Sequence, residues 1–283
     1  MLVGLHRRVS VWINHGDRFN TQNVGCRGWD DPGAPNGHVD QMRLAGVRWL
    51  WVSSLTDTIG QSAHRLQRPS FGRLKNDWLR PTKRVLAGTS VGNPFHFNRV
   101  TQSFRDEQGA FRTFVRFGFW HKASSEDFSV LVEDATLDRL ERMQGYAVVY
   151  VHLYKRRQAT RISDVDWSGF QRLAMREKRG TLKVTTTSRL LRYHDAVSNL
   201  RWRSSRRGSN LEIHIDAASS ESLGETDREQ LQGLTFYVDD PERSTLYANG
   251  RMIENTQANP PDETGRPSIG IPWRPLVPVD LDA

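Results

Sequence analysis

The sequence contains a single cysteine, Cys26, which excludes a disulfide framework and a multi-cysteine zinc site. It has no run of about eighteen apolar residues, so we expect no membrane span. No apolar segment with a small-residue cleavage site follows the amino-terminal His6, Arg7 and Arg8, so no secretory signal is indicated. These absences together predict a cytoplasmic protein.

Several short motifs of known chemistry are also missing. There is no GxSxG nucleophile turn, no phosphate-binding Walker loop and no GxGxxG fingerprint, which argues against serine hydrolases, nucleoside triphosphatases and dinucleotide enzymes. There is no zinc-finger spacing and no RNA-binding aromatic motif, so we expect no nucleic-acid partner. The net charge of +8 favours anionic partners such as acidic glycans, and a basic nucleic-acid-binding protein is the third and weakest alternative.

A pattern of helix, glycine and apolar strand occurs three times. In each copy the helix is amphipathic, a glycine (Gly46, Gly145 or Gly180) follows it, and a short apolar run comes next. This order is typical of βα units around a mainly parallel sheet, whose strands are covered on both faces. The three copies read HVDQMRLAG then VRWLWVSS from His38, DATLDRLERMQG then YAVVYVHL from Asp134, and DWSGFQRLAMREKRG then TLKVTTTS from Asp166.

The ends of the predicted strands carry polar side chains. In parallel α/β folds the functional groups collect at the carboxyl ends of the strands. The first apolar run ends at His15, and the strand that begins at Tyr146 ends at His152. The other two predicted strands, 47–53 and 182–186, lead into serine and threonine. Two histidines are therefore expected at one edge of the sheet.

Two regions lie outside this pattern. Residues 68–133 contain turn signals and alternating aromatic residues, which predicts inserted β-hairpins. Residues 208–283 contain short strand-like runs separated by turns, including Asn249-Gly250, a sequence typical of a tight hairpin. The predicted fold is α/β: a distorted or incomplete (β/α) barrel over residues 1–207 with a β-hairpin insertion, followed by a small β-rich module over residues 208–283.

The order of four segments along the chain is informative. They are VWINHGD followed by Asn20, Gln22 and Asn23, then GVRWLWVSSLTDTIGQ, then GYAVVYVHLYK, and then GTLKVTTTSRLLRY. Over about residues 9–193 this order resembles the polysaccharide deacetylase family, in particular the deacetylases of surface-polysaccharide (O-antigen) gene clusters. The resemblance implies a distorted βα barrel that binds a divalent metal, usually zinc, and hydrolyses N-acetyl or O-acetyl groups on a sugar or polysaccharide.

The resemblance also implies roles for individual residues. His15 matches a metal-binding histidine at the end of an early strand, and His152 matches a late histidine that acts as general acid. Asp17 is a candidate catalytic base or metal ligand, with a simple turn-forming role as the alternative. His38, which precedes Asp40 by two residues at a predicted helix start, is a candidate second metal ligand. Each histidine has an ordinary structural alternative, namely a partly buried ring hydrogen-bonded to its surroundings.

Four further residues are candidates for binding the substrate. Tryptophan rings near the sheet edge can stack on the apolar face of a sugar, although most of the nine tryptophans are expected in the core. The predicted sugar-binding residues are Asn20, Trp51, Arg116 and Trp120.

The sequence departs from the family at two places. The family opens with a strand that ends in paired aspartates, but here Asp30 and Asp31 come after His15, in a segment rich in Gly and Pro. The family often has a second histidine four residues after the first, and that position is Phe19. Two hypotheses therefore stand: a metal-dependent carbohydrate deacetylase, and a non-catalytic glycan-binding protein that keeps the same fold.

Overall fold

The structure is a computed structural model in which the chain divides into two compact units, Met1–Ser188 and Arg189–Ala283. The division falls earlier in the chain than the predicted boundary after residue 207. The structure describes these residues: 9–14, 42, 44–52, 54–63, 98–103, 112–118, 128–152, 162–216, 230–262 and 264–276.

The first unit contains short strands followed by helices. Its described strands are β1 (Val11–Ile13), β2 (Trp49–Trp51), β3 (Leu55–Thr56), β4 (Thr101–Ser103), β5 (Arg112–Phe114) and β6 (Arg116–Phe117). Its described helices are α1 (Phe128–Leu131), α2 (Asp134–Met143) and α3 (Asp164–Lys178), and α4 (Thr187–Ser198) begins at the boundary of the units.

The strands of the first unit are mainly parallel, as the repeated pattern predicts. The four-stranded sheet has the order β1-β2-β5-β4, in which β1, β2 and β5 are parallel and β4 is antiparallel. Strand β3 follows β2 along the chain and β6 follows β5, and these two strands pair with each other in parallel. Phe117 of β6 also forms a parallel bridge with Val149. The α/β class is therefore confirmed. The described strands form open sheets, and none of these sheets closes into a barrel.

Residues 112–118, within the segment FRTFVRFGF, have a more central position than predicted. Its strand β5 follows β4 and pairs with it antiparallel, as expected for a hairpin. The same strand also pairs in parallel with β2, and β6 pairs with β3. Its aromatic side chains Phe114 and Phe117 are buried, so this segment is part of the central sheet as well as a hairpin arm.

Two of the predicted strands of the βα pattern differ in the structure. Residues 146–152 are extended but form only two isolated bridges, at Tyr146 and Val149. The strand predicted at 182–186 is wrong, because this segment has neither helical nor strand structure. Leu182 packs against the core of the first unit, whereas Val184 is 37% exposed, so the segment lacks the two-sided cover of a central strand.

The glycines after the helices serve two different purposes. Gly46 and Gly180 have positive φ angles of 82° and 75°, as expected for residues that end a helix. After α2 the left-handed residue is Gln144, with φ 49°, and not Gly145. Gly145 is needed for packing instead, because a Cβ atom there would lie 2.8 Å from the backbone of Gly60.

The second unit is built from short strands around an apolar core. Its strands are β7 (Arg201–Arg207), β8 (Asn210–Asp216), β9 (Thr235–Tyr237), β10 (Ser244–Ala248), β11 (Arg251–Met252), β12 (Gln257–Asn259) and β13 (Ser268–Gly270), with a 3₁₀ helix at Pro241–Arg243. One sheet has the order β11-β10-β8-β7 and the other β12-β13-β9. Asn249 and Gly250 have φ 48° and 76° and join β10 to β11, which confirms the predicted hairpin.

Helix α4 was not expected from the sequence. Four apolar residues recur along and just after it with helical spacing, and they pack against the core of the second unit. These residues are Tyr193, Ala196, Val197 and Leu200. The threonines at 185–187 favour a strand locally, but the helical spacing of the apolar residues that follow indicates a helix, whose apolar face the β-rich core buries.

Within the described part of the chain, no helix combines the length and the apolar character required to cross a bilayer.

Candidate functional site: an arginine among aromatic rings

Three of the predicted site residues, from three different segments, come together in the first unit. Their side chains join two further aromatic residues at the carboxyl ends of β2 and β5, where β6 begins. We call this group the Arg116 cluster, and it consists of Trp51, Phe114, Arg116, Tyr150 and His152.

Arg116 is at the centre of the cluster. Its guanidinium carbon lies 4.4 Å from the centre of the Trp51 ring, 5.6 Å from that of Tyr150 and 5.8 Å from that of Phe114. All three distances are within the range of cation–π attraction. The rings of Trp51 and Tyr150 lie 5.3 Å apart and are tilted by 30°, so they form two adjoining walls around the cation.

The main chain fixes Trp51 and Arg116 through one carbonyl group. The indole Nε1 of Trp51 donates a hydrogen bond of 2.9 Å to the carbonyl oxygen of Ser54. The main-chain N–H of Arg116 donates to the same oxygen at 3.1 Å. Because Trp51 is only 4% exposed, its ring supports the cation from inside and offers little surface to a ligand.

Tyr150 is held against β6 by a close backbone approach. The N–H of Phe117 donates to the Val148 carbonyl at 2.7 Å, and the N–H of Tyr150 donates to the Phe117 carbonyl at 2.8 Å. A Cβ atom at Gly118 would lie 2.9 Å from the carbonyl oxygen of Tyr150. Glycine at position 118 therefore allows the Tyr150 segment to lie this close.

A buried glutamine joins the strands beneath the cluster. The side-chain amide of Gln61 donates to the Val115 carbonyl at 3.0 Å and accepts from the Val148 N–H at 3.4 Å. Its main chain forms a two-bond bridge with Tyr146. Gln61 is fully buried, so these bonds replace the water that its polar groups lose.

The described residues around Arg116 compensate its charge poorly. Burial lowers the pKa of its guanidinium to about 10, and the Tyr150 hydroxyl opposes this shift only in part. Its Nε atom is buried and has no hydrogen-bond partner in the structure. Arg116 forms no ion pair with any of the described residues, so attraction to the rings is the main compensation for its lost hydration.

His152 forms the solvent-facing end of the cluster. Its ring meets the edge of the Tyr150 ring at a centroid distance of 5.0 Å and an angle of 80°. The residue itself is exposed, whereas Tyr150 and Arg116 are partly buried. A ligand that approaches from solvent would therefore meet an imidazole first and then a guanidinium beside an aromatic ring.

The other predicted site residues lie outside the described part of the chain. They are His15, Asp17, Asn20, His38 and Trp120. The predicted proximity of His15 to His152 therefore stays a prediction.

The described residues around His152 do not by themselves form a metal site. No group of three histidine, cysteine, aspartate or glutamate side chains that could hold a metal ion occurs within the ranges described. The neighbours of His152 in the cluster are aromatic rings and an arginine, and neither is a zinc ligand.

Sequence reasoning missed Phe114, Tyr150 and Gln61. Tyr150 stands two residues before His152, and alternate residues of an extended chain share a face, so its proximity to His152 could have been found. Phe114 stands two residues before Arg116 and gave the same signal, whereas Gln61 gave none, because its role depends on contacts with segments that are distant in the sequence.

No protein-family model, no curated protein and no solved structure matches this sequence.

Proposed function

We propose that this chain binds an acetylated sugar or polysaccharide carrying an anionic group, and that the Arg116 cluster recognises it. The observation that supports this is the partly buried guanidinium of Arg116, which lies beside three aromatic rings and forms no ion pair with a described residue. A guanidinium binds a carboxylate or phosphate with fixed geometry, and an anion would supply a counter-charge that the described residues do not provide. The partly buried ring of Tyr150 suits the apolar face of a pyranose.

We further propose that the bound sugar is deacetylated by a distorted, incomplete βα barrel of the polysaccharide deacetylase type. Water adds to the acetyl carbonyl carbon, the bond from that carbon to the sugar nitrogen or oxygen breaks, and acetate leaves. His152 donates a proton to the departing amine or alkoxide. The exposed position of His152 at the mouth of the cluster supports this role, together with the sequence resemblance. Dependence on zinc, with His15 and His38 as ligands, belongs to the same proposal.

Acetate release tests the hydrolytic proposal. The full chain is dialysed against EDTA and then assayed with N-acetylglucosamine oligomers and with polymeric N-acetylneuraminic acid, with and without zinc chloride. We expect zinc-dependent release, slowed by about 100-fold or more in His152→Gln. His214→Gln, in the second unit, is the matched control and should retain full activity. Equal rates for the two variants would exclude His152 as the proton donor.

Recognition without hydrolysis is the second candidate function. The described members of the cluster are groups that bind sugars and anions, and this observation favours it. Saturable binding of N-acetylneuraminic acid, without acetate release at any zinc concentration, would establish this alternative. Failure of both binding and hydrolysis would overturn the assignment to carbohydrates. The cytoplasmic location expected from the sequence stays a prediction.

A further inference from the structure

The second unit contains a small basic cavity of its own. Its volume is about 70 Å³. Three of the residues that line it are arginines, and none is acidic. The lining residues are Arg189, Arg192, Tyr193, Gln232, Trp273 and Arg274.

Helix α4 and the segment after β13 form the walls of this cavity. Arg189, Arg192 and Tyr193 are spaced at i, i+3 and i+4, which places them on one face of the helix. Arg189 donates from Nη1 to the carbonyl oxygen of Arg274 at 2.7 Å and from Nη2 to that of Pro275 at 3.5 Å. These bonds hold the extended segment beside the helix.

The opposite side is fixed by Gln232 and Gly233. The main-chain N–H of Arg274 donates to Oε1 of Gln232 at 3.2 Å, which leaves the amide NH₂ group of Gln232 as a donor. Gly233 has φ 85°, and a Cβ atom there would lie 2.4 Å from the Trp273 ring. Glycine at 233 therefore allows the tryptophan ring to lie directly against the backbone.

The cavity combines an aromatic wall with concentrated positive charge. The rings of Tyr193 and Trp273 lie 5.6 Å apart at 46°. The Tyr193 hydroxyl is neutral near pH 7, and burial raises its pKa further above the ordinary 10. Guanidinium groups that line one small cavity attract an oxyanion, which can accept hydrogen bonds from them.

We propose that this cavity binds the oxyanion group of an acidic sugar, with the sugar ring against Trp273. The space is large enough for a carboxylate or phosphate group. Trp273 lines the cavity and is only partly buried, so its ring offers an aromatic surface to the sugar. The proposal does not depend on the function of the Arg116 cluster, since every lining residue belongs to the second unit.

Calorimetric titration of the full chain tests this proposal. The probes are glucuronic acid, glucose 1-phosphate, inorganic phosphate and glucose. We expect at least one acidic sugar to bind more tightly than both inorganic phosphate and glucose, and its affinity to fall with added salt. The comparison of carboxylate with phosphate identifies the anionic group. Binding of inorganic phosphate as tight as that of the sugars, or no saturable binding of any acidic probe, would overturn the proposal.

Arg274→Gln is the most direct variant. Arg274 accepts a hydrogen bond from Arg189 and donates one to Gln232 through its main-chain atoms, so the substitution leaves both bonds in place. We expect the affinity for the acidic sugar to fall at least about tenfold. Arg192→Gln is a second variant on the helix wall and should have a similar effect.

Arg251→Gln makes the same change of charge at an exposed position on β11 and serves as the control. It should alter the affinity by less than about twofold, as expected for an exposed charge outside the cavity. Equal losses in the control and the cavity variants would mean that general charge attraction, and not this cavity, binds the anion. Thermal unfolding of each variant shows that it is folded. Arg116→Met separates the two sites, because binding in this cavity should persist in that variant.

Discussion

The guanidinium carbon of Arg116, in β6, lies 4.4 Å from the centre of the Trp51 ring, in β2. Trp51 is buried and its ring nitrogen is bonded to the Ser54 carbonyl, so the ring cannot move away from the cation. The positive charge is therefore held by the sheet framework, which is the arrangement expected of a preorganised binding group.

Replacing Arg116 by methionine should separate binding from stability. Methionine keeps most of the apolar contacts but removes a poorly solvated charge, a change that is often neutral or stabilising. We expect the affinity for polymeric N-acetylneuraminic acid at this site to fall at least about tenfold, with no loss in the free energy of unfolding. Binding is measured by calorimetry in the Arg274→Gln background, and stability by denaturant titration.

Arg112→Met is the control for this prediction, because Arg112 is exposed at the amino end of β5. It should leave binding unchanged. The opposite result would be a loss of more than about 1 kcal/mol in the free energy of unfolding of Arg116→Met with unchanged affinity. It would mean that Arg116 stabilises the fold through its cation–π contacts and does not bind a ligand.

Gly118→Ala should disturb the cluster through the backbone. The new methyl group would lie 2.9 Å from the Tyr150 carbonyl oxygen and 3.2 Å from its Cβ, so the Tyr150 segment must shift. Overpacking of this kind costs about 1–3 kcal/mol of stability. We expect lower stability together with weaker sugar binding, followed by denaturant unfolding and calorimetry. Unchanged values of both would show that the segment moves aside without cost.

Arg176→Met should loosen the contact between α2 and α3. Arg176 is 12% exposed and forms ion pairs with Asp134 at 2.7 Å, Asp138 at 2.8 Å and Glu141 at 3.0 Å. The hydrogen bond from Arg176 lowers the pKa of Asp134 from its ordinary 3.8. The resulting stabilisation is present in full above that pH and is lost as the pH falls below it.

We therefore expect Arg176→Met to have a lower unfolding midpoint than the wild type at pH 7, with the difference shrinking below about pH 4. Thermal scans at several pH values measure this. Lys178→Met on the same helix is the control, since no ion pair of Lys178 occurs among the described residues. A difference that stayed constant down to pH 2 would mean that packing of the arginine stem, and not its charge, stabilises the helices.

The stability of the second unit should depend on the ionisation of Asp262 at acidic pH. It accepts hydrogen bonds from the Thr264 hydroxyl at 2.6 Å, the Tyr237 hydroxyl at 2.5 Å and the Thr264 N–H at 2.8 Å. These bonds lower its pKa from 3.8 to about 2, with the Thr264 hydroxyl as the largest cause. The stabilisation is complete above pH 3.8 and disappears as the pH falls towards 2.

Asp262→Asn removes that charge at every pH. We expect its unfolding midpoint to lie below that of the wild type at pH 6 and to approach it near pH 2, measured by thermal unfolding. Two curves that run parallel over this range would show that the carboxylate is not linked to folding.

Several features of the fold could be predicted because their causes are local. Asn249-Gly250 requires two residues with positive φ, and the structure places a hairpin turn there. The apolar run containing Trp49 and Trp51 forms a buried parallel strand, as its lack of polar alternation indicates. The helix after Asp134 buries Leu137, as its periodicity predicts.

Other features could not be predicted because distant segments create them. The segment 182–186 has strand-like residues, yet it pairs with none of the described strands. Gly145 looks like a helix terminator, but the approach of Gly60 is what requires a glycine there. In each case the tertiary surroundings, and not the local preference, decide the outcome.

The sequence by itself determined the α/β class, the hairpin turn and the choice of Trp51, Arg116 and His152 as candidates, because periodicity and turn chemistry act over a few neighbouring residues. Only the tertiary structure decided that these three side chains meet around Tyr150 and that a second basic cavity forms beside Trp273. Strand register and backbone approach at Gly118 and Gly233 set those distances, and both depend on segments that lie far apart in the chain.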